Sequence, residues 1–104
     1  MELHRSLRPF AALICASLIA VGASAQTIKV GVINTYSGPN ATLGDMIDKG
    51  IKLYLKQNEK NLPAGVKIEM IYRDDGGPNP DNAKRLAQEL LVRDKVNLLT
   101  GVVW

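Results

Sequence analysis

From Thr27 onward the hydrophobic pattern switches repeatedly between a period of two and a period of about 3.6, and this alternation restricts the fold more than any single residue does. "TIKVGVIN" (Thr27 to Asn34) is a short, β-branched run that reads as a strand. From about Ala41 to Glu59 the spacing predicts a helix, with Leu43, Met46, Ile47, Gly50, Ile51 and Tyr54 recurring as one buried face. Gly50 lies within that stripe, where a missing side chain would let the helix approach a sheet closely. "NLPAG" is a connection, and Val66 to Arg73 alternates Val66, Ile68 and Met70 against Lys67 and Glu69 as a second strand.

"DDGGPNP" then interrupts the chain. Asn79 is a good N-cap, Pro80 suits the first helical position, and Asp81 complements the helix dipole. Ala83, Leu86, Ala87, Leu90 and Leu91 form the expected buried stripe of this second helix. "VNLLTGVV", from Val96, reads as a third, buried strand. The order βαβαβ predicts an α/β unit with a parallel sheet and right-handed crossovers. With strands two and three on either side of strand one, the strand order is 2-1-3 and the helices cover opposite faces. Loops then diverge between strands one and three, opening a crevice at their carboxyl ends.

The start of the chain has a different character. Arg5 and Arg8 make it basic despite Glu2, Phe10 to Val21 is small and apolar, and Ala23-Ser24-Ala25 suits a signal peptidase. We therefore expect residues 1–25 to be a cleaved secretory signal, leaving residues 26–104 as the mature part. Cys15 follows Ile14, which is too large for a lipoprotein site, so it reads as filler of the apolar run. Because the third strand reaches Trp104 without an outgoing turn, we also expect the opening part of a longer protein.

The only His (His4) and the only Cys (Cys15) fall within the leader. The mature part accordingly has no disulfide, imidazole base or thiolate nucleophile, and it lacks the usual zinc ligands. No catalytic residue, metal site or cofactor is expected. Removing Arg5, Arg8 and Glu2 from 13 basic and 10 acidic residues leaves a slight positive balance, with charges interspersed. Nothing there suits nucleic acid.

The loop "TYSGPNATLG" borders the expected crevice. Tyr36, Ser37 and Gly38 offer a hydroxyl and backbone N–H groups near a helix N-terminus, which suits an anion such as a carboxylate. Neither G-x-G-x-x-G nor a Gly-Lys-Ser/Thr ending is present, so a nucleotide phosphate is poorly served. Alternatively, Ser37 and Gly38 only make the turn and Tyr36 only packs. Asp74 and Asp75 fit no calcium loop; accepting hydrogen bonds around Gly76-Gly77 is the expected role. Trp104 is either a wall for a ligand or a residue packed at the strand end.

"IKVGVINTYSGPNATLGDMIDKGIKLYL" followed by "VKIEMIYRDDGGPNPDNAKRLAQELLVRDKVNLLTG" resembles the periplasmic binding proteins of the leucine/isoleucine/valine type, the extracytoplasmic receptors of ABC importers. The likeness spans the mature part and rests on the ordered set: "SGP", then "GD" at the helix start, "DD" ending strand two, and "NP" opening helix two. It implies two α/β lobes that close on a ligand, of which this chain is the start of the first. It also implies a periplasmic location, a small-molecule ligand such as an amino acid or organic acid, and an ABC permease in the inner membrane as partner. Family members commonly hold the ligand carboxylate with a Ser just beyond the position of Trp104. They often place an aromatic that touches the ligand where this chain has Leu43, a departure from the pattern for a standard branched-chain amino acid. "NTYSGP" with a nearby Trp is similar to relatives that take aromatic or other organic acids, so the expected ligand is a branched-chain or an aromatic carboxylate. The residues expected at the ligand are thus Tyr36, Ser37, Gly38, Leu43 and Trp104. A ligand-sensing receptor module, the opening part of an exported doubly wound enzyme, or a freestanding secreted mini-protein are the alternatives.

Overall fold

The computed structural model describes residues 24–104, so the expected signal segment falls almost wholly outside the described residues. The elements run β1 (Gln26–Asn34), α1 (Ala41–Asn58), a 3-10 turn (Glu59–Asn61), β2 (Val66–Asp74), α2 (Pro80–Val92) and β3 (Leu98–Gly101). They form a three-stranded sheet in the order β2-β1-β3. Both pairings are parallel, from Gln26↔Val66 to Asn34↔Asp74 on one side and from Val30↔Leu98 to Ile33↔Gly101 on the other. Parallel neighbours require a crossover each time, and the two helices supply it.

The helices lie on opposite faces because side chains alternate along each strand. On one face Ile33 packs with Leu86, Leu90 and Val96, and Ile71, Ala87 and Leu99 close around them. On the other, Tyr72 of β2 lies beneath Lys52 of α1, whose ammonium is 5.8 Å from the ring centre. At the start of α2 the Asn79 side chain accepts from the Asn82 N–H, with Pro80 in the first turn, as the residue types predict.

Three local expectations need correction. First, α1 does not bury Leu43, Met46, Ile47 and Tyr54, which are 41%, 64%, 41% and 66% exposed. At about 100° per residue, α1 has more apolar residues than one face can hold, and the side turned inward carries Gly44, Ile51 and Leu55. Gly50 faces open space, whereas a Cβ on Gly44 would sit 2.0 Å from the Thr35 carbonyl oxygen. Gly44 is therefore the residue that permits close approach. Second, Leu91 is exposed, because Leu86 and Leu90 already point at the sheet. Third, β3 begins at Leu98 and is an exposed edge rather than a buried strand. The Asn97 N–H already bonds the Lys29 carbonyl ahead of it.

Candidate ligand-binding site

Three segments meet at the carboxyl ends of the strands: residues 35–40 after β1, 75–79 after β2, and 102–104 after β3. The first turns tightly at Gly38, whose carbonyl accepts from the Ala41 N–H at 3.2 Å. Asn40 makes no side-chain cap and α1 has no acidic residue in its first turn, so the start of this helix keeps its positive end uncompensated from within.

Asp74, the last residue of β2, draws this loop toward it. Its Oδ1 accepts from the Tyr36 N–H at 2.8 Å and from the Gly76 N–H at 2.9 Å. Partial burial pushes its carboxyl pKa up, but bonds from the Ser37 hydroxyl and from the backbone of Tyr36, Gly76 and Ser37 outweigh this and hold it below the usual value.

Asp75 is buried and has a different set of partners. One of its oxygens accepts from the Thr35 hydroxyl at 2.7 Å and from the Gly77 N–H at 2.9 Å. Its own N–H reaches the Asn34 carbonyl, and its carbonyl accepts from the Asn82 amide. The two aspartates thus have the turn-holding role expected of them. The indole N–H of Trp104 is 3.3 Å from the Thr35 hydroxyl oxygen. Asp75, Gly77, Pro78, Pro80, Val102 and Trp104 line a small cavity of about 90 Å³ between α2 and the chain end.

The residues expected at the ligand are not all in one place. Ser37 and Gly38 are exposed at the loop tip. Leu43 is partly exposed in the first turns of α1, and Trp104 is 56% exposed with its ring against the cavity. Tyr36 goes the other way, between α1 and β2, edge-on to Tyr72 with ring centres 6.2 Å apart. Its hydroxyl is buried and has no hydrogen-bond partner among the described residues. Burial, followed by the bond to Asp48, pushes the neighbouring Tyr72 hydroxyl up to about 12. Among the described residues no group of three His, Cys, Asp or Glu side chains could hold a metal ion.

This arrangement of sheet and loops agrees with the family comparison. The family profile described as periplasmic binding protein matches residues 27–104. The chain belongs to that family. It is 40% identical over 85 residues to the Leu/Ile/Val-binding protein homolog 6 of Brucella abortus (strain 2308), covering 82% of this chain and 22% of that protein. Among solved structures, it is similar to the solute-binding protein of an ABC transporter from R. palustris in complex with 4-hydroxybenzoate. That match has a TM-score of 0.69 and 44% identity over 74% of this chain and 21% of the other. A solute-binding protein from Rhodopseudomonas palustris BisB5, in complex with 3,4-dihydroxybenzoic acid, matches with a TM-score of 0.62 and 52% identity over 70% and 20%. The chain thus spans about one fifth of the length of these relatives.

Sequence reading places Thr35 and Gly44 in the crevice loop and the "GD" motif but assigns neither of them a role in holding this periplasmic binding protein unit together. Thr35 is fully buried, yet in the sequence it is only the first residue of the loop "TYSGPNATLG", with nothing local to say that its hydroxyl is turned inward. The "DD" at the end of β2 is the signal that could have pointed to it, since a buried carboxylate there needs a donor from the adjacent strand end.

Proposed function

We propose that this chain forms the opening part of the first lobe of an exported solute-binding protein that delivers a small aromatic acid to an ABC permease in the inner membrane. Residues 1–25 act as the export signal and the mature protein works in the periplasm. The observation that carries the ligand class is the 44% and 52% identity to solute-binding proteins in complex with hydroxybenzoates. The local chemistry is compatible with it. An open helix N-terminus beside Ser37 and Gly38 favours a carboxylate, while Leu43 and the half-exposed Trp104 ring offer apolar surface for an aromatic ring. In this reading Tyr36 supports the loop from beneath. No residue here is assigned a catalytic role, and no cofactor is invoked.

The test is titration calorimetry of the full-length protein with 4-hydroxybenzoate, 3,4-dihydroxybenzoate and leucine. Both hydroxybenzoates are expected to bind, and leucine to bind more weakly. A hydrogen bond to a charged group is worth about 1.5–3 kcal/mol, so Ser37→Ala should weaken hydroxybenzoate binding by about ten- to a hundredfold. Leu43→Ala should cost affinity for the aromatic acids more than for acetate, because it removes apolar contact. Tight binding of leucine with no response to either hydroxybenzoate would overturn the ligand class.

A further inference from the structure

Thr35, Asp75 and Trp104 come from the ends of three different strands, and one hydroxyl group joins them. The direction of the two bonds is fixed by chemistry. An indole N–H can only donate and an ionised carboxylate can only accept, so the Thr35 hydroxyl must accept from Trp104 and donate to Asp75. Thr35 is 0% and Asp75 3% exposed, so neither can exchange its partner for bulk water at no cost. The main chain of Thr35 is held as well, its carbonyl pressed against Gly44 of α1. A single residue therefore touches α1, the segment after β2 and the segment after β3.

The exit from β3 is bent to reach it. Gly101 has φ +104°, and a Cβ there would lie 2.2 Å from the Ile33 carbonyl oxygen. The next residue, Val102, has φ +68°, which a β-branched side chain seldom adopts. Its N–H donates to the Ile33 carbonyl at 2.6 Å. This unfavourable backbone turn directs Trp104 back toward Thr35 instead of onward along the strand; strain of this kind persists only where surrounding contacts determine it.

We infer that Thr35 is a positioning residue: its hydroxyl, relaying from Trp104 to Asp75, fixes the three crevice loops to one another and sets ligand affinity without touching the ligand. The effect on affinity rests on the proposed ligand site; the fixing of the loops does not. In the full-length protein, Thr35→Val keeps the shape and removes the hydroxyl, leaving the indole N–H and one Asp75 contact unpaired. Thr35→Ser keeps the hydroxyl. The readouts are affinity for 4-hydroxybenzoate, amide hydrogen exchange at Ser37, Gly38, Gly76 and Gly77, and the Trp104 indole N–H resonance, assigned with Trp104→Phe.

Thr35→Val should weaken binding by about tenfold or more, accelerate exchange in both loops and move the indole resonance, whereas Thr35→Ser should restore all three toward wild type. Exchange, resonance and affinity that are the same in the Val and Ser variants would overturn the inference. Should Thr35→Val fail to fold, Trp104→Phe removes one link and keeps the ring. It is read by exchange alone, since the ring also lines the proposed ligand site, and unchanged exchange at Gly76 and Gly77 would overturn the relay. If wild type binds neither hydroxybenzoate, the ligand reading fails, while exchange and the indole resonance still decide whether Thr35 holds the loops.

Discussion

The distance between α1 and the sheet is set by one hydrogen atom, the one that Gly44 carries where other residues carry Cβ. With the Thr35 carbonyl 2.0 Å from that position, a methyl group has no room, and the obstacle is backbone rather than a movable side chain. Gly44→Ala should therefore force α1 away from β1 and cost at least about 1–3 kcal/mol, the usual range for overpacking. Gly50→Ala makes an informative contrast. A Cβ there meets nothing within 4 Å, and alanine gains up to about 1 kcal/mol in helix propensity over glycine. Urea denaturation of the two variants should move in opposite directions. A stable Gly44→Ala variant would show that the helix does not seat where the Thr35 carbonyl places it.

At the scale of elements, the loop after β1 is held chiefly by the end of β2. Asp74 gathers N–H groups from residues before and after it, and the net effect is a carboxyl pKa below the usual value. A group lowered in this way stabilises the fold at pH values above its unfolded pKa, and that contribution is lost as pH falls through the lower folded value. Acidification below about pH 3.9, the ordinary Asp value, should thus loosen residues 36–38. Asp74→Asn retains an oxygen for the backbone N–H groups and should flatten this part of the acid dependence, as read from the urea midpoint against pH. An unaltered acid profile in the Asn variant would mean that other carboxylates dominate. The strand and helix order was legible because period and capping are local signals, and Asn79 with Pro80 marked the start of α2 within two residues. The inward face of α1 was not, since period identifies a helix without saying which of two apolar sides meets the sheet. Thr35 escaped for a related reason: its partners lie 40 and 69 positions away, and only the completed sheet brings them together.

For the whole molecule, the balance between covered and uncovered apolar surface decides how it behaves alone. Among the described residues the buried hydrophobic ones are Val30, Val32, Ile33, Leu86, Leu90 and Val96, a small core for three strands and two helices. Against it stand Leu43, Met46, Ile47, Leu53 and Tyr54 along α1, and Leu98 on β3, all exposed. Among the described residues β3 pairs only with β1, so its other edge presents unpaired N–H and C=O groups to any strand that meets it. A chain of the relatives' length has further material with which to cover both. Residues 26–104 alone should therefore unfold over a broad, shallow urea transition that shifts with protein concentration, as exposed faces of different copies meet. They should also bind no measurable 4-hydroxybenzoate, because a crevice walled on one side leaves most of an aromatic ring in water. Joined to a chain as long as those relatives, the same residues should unfold in one steeper transition, because the apolar faces of α1 and the edge of β3 then become part of a common core. A sharp, concentration-independent melt of residues 26–104 at the temperature of the longer protein would show that the small α2-side core suffices by itself, and that the exposed face of α1 is not waiting for cover.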